Sequence, residues 1–296
     1  MGDFLSAYSI QSWLESCPQG YLEGTEFGHA PGDTEPETLF ENPILLETSL
    51  RTTVQLVAGE RCALAASSGL INAAPDFPSK RFLATQTLDE ARHVEIFTQR
   101  LYDLGVRKDA LEATISEFAS PHLVRFADVL LEKVDKGDFV AGVVGQNIVL
   151  EGMAFSVFEL LHASMAANNP KFAATLSGTI ADERRHVGFG ENRIGSLIKE
   201  FPEKKAMVQK MQKEMSHHML QAFSDLFNRS AAAVREGNRL SREAADAGED
   251  IGRADYNGTD LNGMEAEALQ GVLSNTVIGE FKTRLGRIGL EYQSPN

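Results

Sequence analysis

LDEARHVEIF (residues 88–97) and ADERRHVGFG (residues 181–190) decide the reading of this chain. Each carries one five-residue pattern: Asp89-Glu90-Ala91-Arg92-His93 in the first, Asp182-Glu183-Arg184-Arg185-His186 in the second. A Glu and a His three residues apart stack over one turn of a helix, on one face. That face is otherwise apolar. Leu83, Phe97, Leu101 and Leu104 share it with Glu90 and His93, and Leu176, Ile180, Ile194 and Leu197 share it with Glu183 and His186. About thirty residues upstream of each pair stands one more acid in an apolar stripe. Glu60 follows Leu56 and Val57 and precedes Leu64, and Glu151 lies between Val144, Ile148, Phe155 and Phe158.

Four ionised carboxylates buried together without counter-charge exceed what a fold tolerates. Two metal ions resolve the conflict. One Glu helix and one Glu-x-x-His helix, used twice over, supply the four carboxylates and two imidazoles of a dinuclear site in a helix-bundle core. Hard oxygen donors with one imidazole per ion suit iron or manganese. The expected ligands are Glu60, Glu90, His93, Glu151, Glu183 and His186, and the expected cofactor is a pair of iron or manganese ions.

Outward from these motifs the chain reads as helix nearly throughout. Long helices are expected over about 48–72, 79–104, 138–167 and 170–200, with shorter ones over 108–118 and 121–136. Pro75, Pro78, Gly105, Pro170 and Pro202 punctuate them. A further amphipathic helix is expected over 203–236, a polar loop over 237–260 and a last helix over 261–290. No segment alternates like a strand, so the fold class is all-α, with flanking helices beyond the four long ones. The expected organisation is an N-terminal arm over 1–44 with one short helix near Phe4–Glu15, a metal-binding helical domain over 45–236, and a C-terminal loop and helix over 237–296.

The two D-E-x-R-H motifs resemble those of the hydroxylase subunits of bacterial multicomponent monooxygenases. They also resemble the wider group of ribonucleotide reductase small subunits and related ligand-binding oxidases. The resemblance covers about residues 45–200 and implies a ferritin-like four-helix bundle whose cofactor is two iron ions, Fe/Fe or alternatively Mn/Fe. It implies that Asp89 accepts a hydrogen bond from His186 and Asp182 one from His93, fixing each imidazole tautomer. It implies further that Arg92 and Arg185 neutralise those aspartates. Two positions depart from the relatives. Ribonucleotide reductase small subunits carry a radical tyrosine four residues after the first histidine, where this chain has Phe97. Monooxygenase hydroxylases carry a threonine four residues after the third-helix Glu, where this chain has Phe155.

Composition narrows the function. A net charge of -14 argues against nucleic acid and anionic membrane as partners. The start of the chain lacks the basic and apolar regions of a signal peptide. With only Cys17 and Cys62, and no CxxC, a disulfide framework is not expected and a cytoplasmic setting is. Cys62 reads as a buried structural thiol. His162 reads as a partly buried polar group, and Glu95, Glu191, His217 and His218 as surface residues. Gln86, Asn147 and Thr179 each precede a ligand Glu by one turn, as hydrogen-bond donors to it or as polar packing. Phe97, Phe155 and Phe158 line a substrate pocket or fill the core.

The function expected from these features is an O2-activating di-iron oxygenase or oxidase. Its substrate is a small, largely apolar organic molecule or a carrier-bound acyl chain. A ferredoxin-type or flavin reductase is the expected electron donor, and the expected assembly is a homodimer. The alternatives are ferritin-like iron handling and a radical-generating subunit, the latter weakened by Phe97.

Overall fold

A computed structural model describes residues 27–248, 251–252 and 254–293. The short helix expected near Phe4–Glu15 lies outside the described residues. The described part is built of helices: α1 (Glu37–Glu41), α2 (Pro43–Ala73), α3 (Phe77–Asp103), α4 (Leu111–Phe118), α5 (Pro121–Asp135), α6 (Phe139–Val143), α7 (Glu151–Met165), α8 (Pro170–Glu200), α9 (Lys205–Asp246) and α10 (Ala266–Arg287). Short 3-10 turns at Lys108–Ala110 and Pro202–Lys204 precede α4 and α9. One stretch is not α-helical. Val144–Leu150 winds as a π-helix and joins α6 to α7 without a break.

Side chains set where the long helices begin. The Asn42 carboxamide oxygen accepts from the backbone N–H of Ile44 and Leu45 at 3.1 and 3.3 Å. The Asp76 carboxylate accepts from Ser79 N–H at 2.8 Å, and Asn169 from Phe172 N–H at 3.0 Å. Pro43, Pro78 and Pro170 occupy the first or second helical position behind these caps. There a missing N–H is no loss and the fixed φ favours the helix. At the end of α3, Gly105 takes φ 93°. That lets Val106 N–H bond back to the Leu101 carbonyl at 3.0 Å and stops the helix.

The short links 74–76 and 166–169 fold α2 back on α3 and α7 back on α8, giving two antiparallel pairs. The ligand candidates lie in one layer across them. Apolar packing on either side of that layer falls into two clusters. Val57, Phe97, Phe158 and Leu176 belong to the smaller cluster. Ala63, Leu83, Ile148 and Ile194 belong to the larger. Each long helix therefore passes from apolar to polar to apolar, burying its stripe at both ends and its acids in the middle. Helix α9 packs across α5, α2 and the π-segment, and α10 packs on α7 and α9.

Three details differ from the sequence expectations. The polar stretch after residue 236 continues α9 to Asp246. Arg239 reaches back to Glu236 and forward to Glu243 at 2.7 and 2.5 Å, and such pairs support an exposed helix face. A two-residue antiparallel hairpin, Asp255–Tyr256 against Thr259–Asp260, follows it, turning through Asn257 and Gly258 at positive φ. The expected surface arm is also in part buried. Glu35 is only 5% exposed. Its carboxylate meets the Arg100 guanidinium at 3.1 and 3.3 Å and accepts from the Asn169 amide at 2.6 Å, pinning the arm to one end of the bundle.

One segment, Phe139–Met165, is long and apolar enough to cross a membrane by length and composition alone. In the fold, 89% of its most apolar window is buried inside the protein. Its apolarity serves the core, because it is enclosed by other helices on nearly every side.

Candidate metal centre

Helix α2 supplies Glu60, α3 supplies Glu90 and His93, the junction of the π-segment and α7 supplies Glu151, and α8 supplies Glu183 and His186. All six are buried, none more than 4% exposed. They form two groups that share Glu90. Glu60, Glu90, His93 and Glu183 each offer a ligand atom within 4.8 Å of the others, and so do Glu90, Glu151 and His186.

The imidazoles show how the cluster is oriented. His93 Nδ1 faces Glu60, Glu90 and Glu183 at 3.4, 3.4 and 3.5 Å. His186 Nδ1 faces Glu90, Glu183 and Glu151 at 3.3, 3.6 and 3.8 Å. The opposite ring nitrogens face aspartates: His93 Nε2 lies 3.2 Å from Asp182, and His186 Nε2 lies 3.2 Å from Asp89. Each histidine thus spends one nitrogen on an aspartate of the other motif and points the other at carboxylates. Both Nδ1 atoms, with Glu90 Oε2 and Glu183 Oε2, are buried without a hydrogen-bond partner among the described residues. Orphaned lone pairs of two imidazoles and several carboxylates, all converging, are what two metal ions require. The donor set fits such a pair.

Titration reflects the same crowding in the metal-free protein. Burial raises Glu60 to about 8, against the pull of His93. Burial and the neighbouring Glu183 hold Glu151 well above the usual carboxylate range. Burial acts the other way on Glu90, but His186 and His93 outweigh it and hold Glu90 well below that range. Burial disfavours charge on His93, yet Glu60 and Glu90 raise it to about 9. His186 is likewise raised, by Glu90 and Asp89 against its burial. The cluster holds protons where ions would otherwise bind.

Around this layer the arginines differ. Arg185 Nη2 lies 2.6 Å from Asp182 and 3.0 Å from Asp89, with its side chain 53% exposed. Arg92, its counterpart in the other motif, is 2% exposed and contacts Asp182, with Asp89 at 3.8 Å. Gln86 and Asn147 both donate to Glu151, at 2.7 and 2.8 Å. Thr179 is buried, and its hydroxyl has no hydrogen-bond partner among the described residues.

The phenylalanines separate. Phe158 lines a cavity of about 70 Å³ whose walls also include Leu56, Ala154, Met219 and Phe223, and whose polar edge is Glu60, Glu151 and Glu183. Phe97 packs in the apolar cluster 6.4 Å from Phe158. Phe155 lies under Arg284 and Arg184, 4.7 and 5.8 Å from its ring centre, on the side of α10. Neither Phe97 nor Phe155 borders the cavity. A second, polar cavity of about 140 Å³ with Arg51 and Arg229 in its wall shares Gln55 and Leu226 with the first. Of the remaining residues, Cys62 is buried. Burial pushes its thiol up to about 12, so it stays protonated. His217 and His218 are half-buried rather than on the surface.

Sequence reasoning missed Gln146. Its Nε2 lies 2.9 Å from Glu151 Oε1, five residues ahead in the chain. At α-helical spacing the two would not share a face; the π-turn brings them together, with Glu151 N–H bonded to the Gln146 carbonyl. The cavity residues on α9, Met219 and Phe223, carried no signal either, since nothing in the sequence places that helix over Glu60.

The sequence matches no protein-family profile and no curated protein. Solved structures do match. An R2-like ligand-binding oxidase with an aerobically reconstituted Mn/Fe cofactor has 15% identity and a TM-score of 0.68, over 100% of this chain and 99% of that one. A variant of an R2-like ligand-binding oxidase with an aerobically reconstituted Fe/Fe cofactor has 17% identity and a TM-score of 0.61, over 81% of this chain and 80% of that one. Identity at this level speaks for the fold. The chain has the ferritin-like helical fold seen in the R2-like ligand-binding oxidases, with a buried carboxylate–histidine cluster able to hold metal at its middle.

Proposed function

We propose that this protein is a dinuclear iron oxidase, Fe/Fe or Mn/Fe, that activates O2 and oxidises a small, largely apolar organic substrate. The observation that carries the proposal is the pair of buried, unpartnered imidazole Nδ1 atoms aimed at four carboxylates. Two redox-active ions held there would supply the electrons that dioxygen reduction requires. The protein's own contribution is legible in its residues. Asp89 and Asp182 hold the imidazoles in one tautomer with Nδ1 free to bind. The apolar clusters above and below exclude water. The cavity bordered by Phe158, Leu56 and Met219 offers an apolar substrate a place beside Glu60, Glu151 and Glu183. Phe97 leaves no oxidisable phenol at that place on α3, so oxidising equivalents pass to a bound molecule rather than to a tyrosine there. A ferredoxin or flavin reductase is the proposed source of electrons, unless the substrate supplies them itself.

The deciding experiment adds many equivalents of ferrous iron in air to metal-free protein and follows iron uptake and O2 consumption. An oxidase stops near two irons per chain and thereafter consumes O2 only with reductant or substrate. Uptake that continues into a mineral core would overturn the proposal in favour of iron storage.

A further inference from the structure

Three carboxamides converge on one carboxylate. Gln86 Nε2 and Gln146 Nε2 lie 2.7 and 2.9 Å from Glu151 Oε1, and Asn147 Nδ2 lies 2.8 Å from Glu151 Oε2. All three amides are 0% exposed and Glu151 is 2% exposed. The other acids of the cluster have less company: Gln86 Nε2 also reaches Glu90 Oε1, at 3.5 Å, while Glu90 Oε2 and Glu183 Oε2 accept no hydrogen bond among the described residues.

The amides are themselves fixed. Gln146 Nε2 lies 2.7 Å from Ser67 Oγ and 3.1 Å from the Ala63 carbonyl on α2. Asn147 Nδ2 lies 3.1 Å from Gln86 Oε1 on α3 and 3.2 Å from the His186 carbonyl on α8. Gly190 makes room for Asn147: a Cβ there would stand 2.4 Å from the Asn147 Cβ. Three different helices therefore brace two successive π-helical residues against Glu151.

A carboxylate offers roughly four lone-pair sites. Two amides approach Oε1 and one approaches Oε2, and Oε1 is also the oxygen that faces His186 Nδ1, at 3.8 Å. The geometry points to Gln86, Gln146 and Asn147 as positioning residues that set Glu151 in place, on the His186 side of the cluster, before metal arrives. Among the described residues, Glu151 faces only His186, whereas Glu90 and Glu183 face both imidazoles, so loosening Glu151 bears on one end of the cluster. The inference rests on the metal-centre reading above.

The test is a Mn2+ titration followed by the electron paramagnetic resonance signal of free Mn2+, on full-length wild-type protein and on Gln146→Met, Gln86→Met and Asn147→Ala. These variants change two separate helical segments, and each is first checked for native helicity by circular dichroism. Wild type should bind two ions. Each folded variant should keep one ion at wild-type affinity and hold the second roughly ten- to a hundredfold more weakly. A merely structural role would not weaken one ion of the two. Unchanged affinities, or equal weakening of both ions, would overturn the inference. Wild-type protein that binds no pair of ions would instead overturn the metal-centre reading, a distinct result.

Discussion

Asp182 on α8 and His93 on α3 are 89 residues apart in sequence and 3.2 Å apart in the fold. Asp89 and His186 repeat the relationship with the helices exchanged, at the same distance. Each motif thus orients the other's imidazole. Asp89→Asn and Asp182→Asn keep the shape but replace a charged acceptor by an amide that can also donate. Both variants should stay helical and bind metal with affinity reduced by roughly ten- to a hundredfold. Competitive titration against a chelator measures this; wild-type affinity in both would reduce the aspartates to packing.

The two arginines give a contrast within one protein. Arg92 is buried beside Asp182, whereas Arg185 is half exposed. Removing one partner of a buried pair costs about 3–5 kcal/mol, while exposed pairs contribute about 0–1 kcal/mol. Chemical denaturation should find Arg92→Ala far less stable than wild type and Arg185→Ala nearly unchanged. Equal losses would contradict the burial difference.

Proton occupancy predicts an effect of pH on the metal-free protein. Glu60 is raised from 4.5 to about 8, and His93 from 6.5 to about 9. A group whose folded-state pKa is raised stabilises the fold below its unfolded value, and that contribution is lost as pH rises through the folded value. Glu60 therefore withdraws stability between about pH 4.5 and 8 and His93 between about 6.5 and 9, and Glu151 and His186 shift in the same direction. Glu90 is lowered and acts only in acid. The melting temperature of metal-free protein should fall over this range. Metal replaces the protons, so the gain in melting temperature on loading should grow with pH. A metal-free melting temperature that rises from pH 6 to 9 would contradict the assignment.

Gly190→Ala places a methyl 2.4 Å from the Asn147 Cβ. Overpacking of this kind costs about 1–3 kcal/mol. The variant should melt below wild type, and Gly188→Ala, where a Cβ meets nothing within 4 Å, should not. Parallel thermal melts of the two make the comparison.

The bundle was legible because its signals are local. The caps at Asn42, Asp76 and Asn169 stand one or two residues before a proline, and apolar residues recur at helical spacing. The six acids and histidines stood out because a charged residue in an apolar stripe is conspicuous by itself. Gln146 was not legible, since its approach to Glu151 depends on a change of helical pitch that a fixed period of 3.6 cannot express. Phe155 and Phe158 were also indistinguishable in sequence. They lie three apart on α7, and only the placement of α9 and α10 decides that one meets the cavity and the other two arginines. The continuation of α9 to Asp246 was hidden by the polarity of its last turns, because an exposed helix buries too little to show a stripe.

The half-exposed position of Arg185 gives the centre a front and a back. The cavity reaches the carboxylates from between α2, α7 and α9, and α3 contributes nothing to its wall. The histidines turn the other way, through Asp89 and Asp182 to Arg185 and water. An organic molecule lodged among Phe158, Leu56 and Met219 would leave that second face untouched. A reductant docking over Arg185 would sit one arginine and one aspartate away from each imidazole without displacing it. On the proposed function, fuel and feedstock would then have separate doors, and plugging one should leave traffic through the other unchanged.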